Sequence, residues 1–191
     1  MVADRGANAH LRPPDLPEEL DAGAVLVSGY LLLQEDGREA AVAAIRRARS
    51  GWVAVDAASW PLVERVTPEG VHERAAGATA LLANEREAES LTGLGPVDAA
   101  EALGARYRLA CVKRGREGAV LVLDGARFVA APDPVDAVDP TGAGDAFDGV
   151  LMASLARGID PGAALEAACR AGATVAASPE GWPRPRSTVP P

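Results

Sequence analysis

Short continuous apolar runs alternate along the chain with stretches whose apolar residues recur three and four apart. The first pattern suits strands buried on both faces, the second amphipathic helices. Residues 24–29 are an apolar run closed by a glycine and predict a strand. Residues 35–49 gather Ala40, Ala41, Ala44, Ile45 and Ala48 on one face, which predicts a helix. Strand, helix and strand then follow in turn: 52–56, one or two short helices within 61–76, and 78–83. Helices are predicted over 85–91, stopped by Gly93, and over 97–103, with a fourth strand over 107–113. The rhythm then changes. Residues 118–123 and 126–130 flank Asp124-Gly125, a strong short-range hairpin signal. A proline-rich loop, 131–138, leads to a helix in which Ala146, Phe147, Val150, Leu151, Ser154 and Leu155 repeat up to Gly158. A last helix is predicted from Pro161 to about Ala177. Residues 1–20 are expected to be an irregular lead-in, and 179–191 a proline-rich tail.

Strands alternating with helices predict an α/β fold, a mostly parallel sheet with helices on both faces, here extended by a β-hairpin. The 191 residues suggest one domain with ample core. An apolar share of 48% is not that of a disordered chain, and a formal charge of −8 argues against a nucleic-acid surface. No uncharged apolar run approaches the ~20 residues that cross a membrane, and no signal-peptide pattern opens the chain. Cys111 and Cys169, far apart in a predicted strand and helix, are expected to be buried reduced thiols of a cytoplasmic protein. Arg46, Arg47 and Arg49 are expected to complement the dipole at a helix end. His10 and His72 show no partner spacing and are expected at the surface. No spacing suggests a zinc site, and the P-loop, early Gly-x-Gly-x-x-Gly and Gly-x-Ser-x-Gly patterns are absent.

The densest chemistry lies in Asp139-Pro140-Thr141-Gly142-Ala143-Gly144-Asp145. A glycine-rich loop that enters a helix offers unpaired N–H groups at the positive end of the dipole, a ready anion site. Asp145 has two readings: a helix-start carboxylate, or a base that takes a proton from a hydroxyl attacking phosphorus. Asn84 and Glu87, three apart after the third strand, form either a capping box or a pair serving a metal and phosphate. Lys113-Arg114-Gly115-Arg116-Glu117-Gly118 is either a tight turn or a bare loop against a nucleotide. Asp139 and Thr141 are at least turn residues.

The 139–145 motif, continued by Ala146-Phe147-Asp148-Gly149, closely resembles the C-terminal motif of the ribokinase-like (PfkB) sugar kinases. Val150 departs from the small residue usual there. Asn-x-x-Glu at 84–87 and Lys-x-Gly-x-x-Gly at 113–118 resemble two further motifs of the family, in the family's order. The resemblance implies a ribokinase-like fold and ATP-dependent phosphorylation of a sugar or sugar-like alcohol. It implies Asp145 as base, the amides around Gly142, Ala143 and Gly144 as an oxyanion cradle, and Asn84, Lys113, Gly115 and Gly118 as nucleotide contacts. It implies Glu87 toward Mg2+, and Asp139 and Thr141 toward a monovalent cation such as K+, completed by the loop at 178–182.

The resemblance covers only the C-terminal part of such a kinase. The family's first strands, Gly-Gly sugar motif, sugar-holding aspartate and β-sheet lid have no counterpart here. The expectation is therefore a truncated member, with transfer to sugar slow or absent in this chain alone. The alternative is a non-catalytic nucleotide-binding remnant, or one half of a split kinase completed by an N-terminal chain. A homo-oligomer is also compatible, whereas a dinucleotide protein is a poor fit.

Overall fold

The computed structural model describes residues 6–49 and 51–178. Six strands form one sheet in the order β1-β2-β3-β4-β5-β6: β1 (Ala24–Ser28), β2 (Trp52–Asp56), β3 (Ala80–Asn84), β4 (Leu109–Lys113), β5 (Ala119–Leu123) and β6 (Ala126–Ala130). The first four run parallel and the last three pair antiparallel. The hairpin turns at Asp124 and Gly125, both at positive φ (48° and 81°), the geometry an Asp-Gly turn prefers.

Each parallel crossover steps to the adjacent strand in the same direction. Right-handed connections then put every crossover helix on one face. These are α1 (Gly29–Leu32), α2 (Arg38–Arg47), α3 (Trp60–Val66), α4 (Pro68–Arg74), α5 (Glu85–Thr92) and α6 (Pro96–Gly104). They bury one parity of the strands, including Val53, Val55, Leu81, Ala110, Val112 and Val120. The other face, carrying Ala54, Leu82, Leu109, Cys111 and Leu121, is covered by α7 (Ala143–Ala156) and α8 (Pro161–Ala176). Both parities of β3 and β4 are thus buried, which explains their near-continuous apolar runs.

The expected 35–49 helix is shorter, 38–47, because Gly37 enters it at φ 84° and Ala48 leaves in extended backbone. The 61–76 region is two helices, separated by Thr67 at φ 72°. Pro68 disfavours helical backbone at the residue before it, and the Thr67 side chain caps the second helix. α1, one short turn capped by Ser28, was not foreseen. The lead-in contains 3-10 turns at Gly6–His10 and Pro13–Asp15.

Arg46 and Arg47 lie in the last turn of α2, as expected of cations that complement the dipole, and the Arg47 guanidinium also donates to the carbonyls of Pro13, Leu16 and Pro17, which ties the lead-in to α2. Arg49 pairs with Glu19. His72 is half-buried and shares a 2.8 Å hydrogen bond with the Tyr107 hydroxyl. Burial lowers its pKa and pushes Tyr107 up to about 12. His10 is exposed. Both cysteines are buried free thiols. The tail at 179–191 lies outside the described residues. Among those described, no helix is long and apolar enough to cross a membrane.

Candidate functional site

Asp56, Asn84 and Lys113 are the last residues of β2, β3 and β4, adjacent strands that all point the same way. The parallel topology therefore delivers one chemical side chain from each strand to one edge, where open α/β sheets bind ligands.

The 139–144 loop arrives at this edge from the far side of the sheet. Its entry is moored to α8, since the amides of Val138 and Asp139 both donate to the Ala176 carbonyl. Asp139 accepts the Thr141 amide at 2.9 Å, a turn-closing bond that holds its carboxyl below the usual carboxylate range. Gly142, at φ 81°, is the residue before α7 and offers no side-chain cap. Ala143 and Gly144 open the helix, and Asp145 stands exposed in its first turn. Helix α8 supports this turn closely: a Cβ on Gly172 would lie 3.1 Å from the Ala143 carbonyl.

Opposite lies the 113–118 turn. Gly115 has φ 55° with open space around it. Gly118 has φ 81°, and a Cβ there would clash with the Ala130 carbonyl. Between turn and loop opens a cavity of about 700 Å³. Lys113, Gly115 and Gly118 line it from the turn, and Ala143 and Gly144 from the loop. Phe147, Cys169 and Ala173 give it an apolar wall. Burial pushes the Cys169 thiol up to about 11, so it lines the wall as a neutral group. Gly142, Asn84, Glu87, Asp139, Thr141 and Asp145 do not line the cavity.

Asn84 and Glu87 close a complete capping box. The Asn84 amide N–H donates to Glu87 Oε2 at 2.8 Å, its Nδ2 to Oε1 at 2.6 Å, and the Glu87 amide donates to Asn84 Oδ1 at 3.0 Å. Glu87 is only 3% exposed, and burial raises its pKa.

Lys113 departs most from expectation. Its ammonium does not stand open to an anion. It lies 2.9 Å from Asp56 Oδ1 and 3.0 and 2.8 Å from the two oxygens of Asp148, so three acceptors meet its three donors. The two carboxylates raise the pKa of Lys113. Desolvation outweighs the ammonium at Asp148, 1% exposed, and lifts it to about 7. Asp56 and Asp148 were not singled out from the sequence. Asp148 carried a signal: it shares a helical stripe with Leu151 and Leu155, and a carboxylate on a buried stripe calls for a cation. Among the described residues no group of three His, Cys, Asp or Glu side chains is gathered to hold a metal.

A profile of the pfkB family carbohydrate kinases matches residues 1–180. The chain belongs to the pfkB carbohydrate kinase family. An ATP-dependent ribose-1-phosphate kinase of Halopiger xanaduensis is 32% identical over 162 residues, 84% of this chain and 52% of that protein. An aminoimidazole riboside kinase of Salmonella typhimurium is 31% identical over 165 residues, 80% of this chain and 50% of that one. The crystal structure of aminoimidazole riboside kinase from Salmonella enterica superposes with a TM-score of 0.78 at 26% identity, over 93% of this chain and 64% of that one. The same enzyme is also known with aminoimidazole riboside and an ATP analogue bound. The sheet and its helices are thus of the ribokinase-like pfkB type. The chain spans about half the length of the curated relatives it matches.

Proposed function

We propose that this chain carries the nucleotide-binding and phosphoryl-transferring part of an ATP-dependent kinase acting on a hydroxyl of a sugar or sugar-like alcohol. The observation that carries the reading is the helix start at Ala143 and Gly144 facing a cavity whose opposite rim is the glycine turn of 113–118. Bare backbone on both rims and an apolar wall suit a flat base joined to phosphates. The relatives named above, a ribose-1-phosphate kinase and a riboside kinase, support the substrate class.

In this reading the amides around Gly142, Ala143 and Gly144 stabilise charge on the transferred phosphoryl group. The exposed carboxylate of Asp145 takes the hydroxyl proton as the oxygen attacks the γ-phosphorus. The bond from that phosphorus to the β,γ-bridging oxygen breaks, and ADP leaves. Mg2+, when bound, would neutralise phosphate charge. The hard oxygen donors of Glu87 fit it through water, since each carboxylate oxygen keeps a free lone pair beside its Asn84 bond. Asp139 and Thr141 would serve a monovalent cation.

Calorimetry of Mg·ATP on the purified chain tests the binding half. Gly144→Leu is the informative variant, because a Cβ there meets only the Lys113 ammonium, at 3.8 Å. It should leave the fold intact and weaken ATP at least about tenfold by filling the cradle. Unchanged affinity would reject the cradle. The catalytic half is tested by Asp145→Asn in a chain completed to family length. Transfer should fall at least about 100-fold with ATP affinity retained, and near-normal turnover would remove Asp145 from the role of base.

A further inference from the structure

The first turn of α7 is weak by composition. Glycines stand at 142 and 144, no side chain caps it, and Gly144 and Asp145 are exposed. Gly144, inside the first turn, costs helix stability relative to alanine, and a start without a side-chain cap frays. Yet this turn must hold its amides toward a ligand if the cradle is to work. One turn further on, Asp148 is buried and clamps Lys113 with both oxygens. Lys113, at the end of β4, also reaches Asp56 at the end of β2, across the end of the intervening β3. The clamp therefore ties α7 to both β2 and β4 beneath the loop, with the ammonium 3.8 Å from the Cβ position of Gly144.

We propose that Asp56, Lys113 and Asp148 form a buried ion triad that positions the glycine-weakened start of α7, and that Asp148 is thereby a positioning residue for the amides of 142–144. The cradle's ligand is taken from the kinase reading above, on which the phosphate part of this inference rests. The triad sets the rotation of α7 about its axis, and with it the direction of Asp145, three residues before Asp148. Lys113 acts here as a fastener and spends its donors on carboxylates.

The test separates positioning from general stability. Removing the cation leaves Asp56 and the buried Asp148 without a partner, so Lys113→Met alone should lower the melting temperature. The triple variant Asp56→Asn/Lys113→Met/Asp148→Leu removes all three charges and should recover most of that loss. Hydrogen exchange on the ligand-free triple variant should then be at least about tenfold faster at amides 146–149, with the sheet amides unchanged. Unchanged exchange at 146–149 overturns the proposal, as does an equal rise throughout the sheet. Calorimetry on the same variant gives a second readout, the ratio of ATP to adenosine affinity. The triad carries one net negative charge when ionised, so Coulomb's law alone predicts stronger ATP binding without it. Positioning predicts the opposite, a fall of about tenfold in the ratio. A ratio that holds or rises overturns the phosphate part. Should the triple variant not fold, Asp56→Asn decides: it leaves the Lys113–Asp148 clamp and removes only the link to β2, a partly exposed partner. Faster exchange confined to 146–149 supports the triad, and none overturns it. A wild-type chain that binds neither ATP nor adenosine sinks the kinase reading, while the exchange experiment still judges the triad.

Discussion

Gly118 and Gly144 face the same cavity but answer to different constraints. At Gly118 the backbone has positive φ and the Ala130 carbonyl occupies the place a Cβ would take. The residue is fixed by the fold whether or not a nucleotide ever binds. Gly144 has room for a side chain, so the fold does not demand glycine there. Only a ligand pressing against the backbone would. Gly118→Ala should therefore cost at least about 2 kcal/mol, from left-handed strain plus the clash, and lower the melting temperature by several degrees. Gly115→Ala, also left-handed but in open space, should cost about 1 kcal/mol. Thermal unfolding of the two variants checks this, and equal losses would contradict it.

At the scale of elements, short-range patterns were legible and long-range pairings were not. Asp124-Gly125 predicted its hairpin because both turn residues accept positive φ. Asn84 and Glu87 left two readings open, and the capping box is the one seen; a box of this kind does not preclude water-mediated metal contact. The 139–145 loop was legible as a helix entrance. The binding of Lys113 was not, since its partners lie 57 and 35 residues away in sequence. Nor was the His72–Tyr107 bond, 35 residues apart. The triad has a pH signature. Burial raises the Asp148 pKa from 3.8 to about 7. Below pH 3.8 the carboxyl is protonated in folded and unfolded chains alike, and its contribution to stability is whole. As pH rises toward about 7, the unfolded chain releases the proton while the folded one retains it, so that contribution is lost. The urea midpoint of the wild type should fall between about pH 4 and 7 relative to that of Asp148→Asn, which lacks the titrating group. A relative rise over the same window would mean that Lys113 outweighs burial and that Asp148 ionises freely.

At the scale of the whole molecule, the sheet is well covered at its centre and open at one side. Among the described residues β1 pairs only with β2, so its outer edge presents unpaired backbone groups. Leu26, on the parity of β1 that faces the α7 and α8 side, is 42% exposed, and Tyr30 and Trp60 near the ends of β1 and β2 are also exposed. Parallel strands are ordinarily buried on both faces, and an apolar, uncharged edge is a template for another strand. Net charge opposes association over long distances, but at ordinary salt it is screened beyond roughly 10 Å and cannot protect an edge in contact. The chain should therefore associate as its concentration rises, through β1. Light scattering after size exclusion measures this, and Leu26→Lys should shift the equilibrium toward monomer by placing a charge on the open face. A wild type that stays monomeric at high concentration would show that the residues flanking β1 already shield it. Association that Leu26→Lys leaves untouched would move the interface away from β1, with the exposed Val129 of β6, at the other side of the sheet, the next place to substitute.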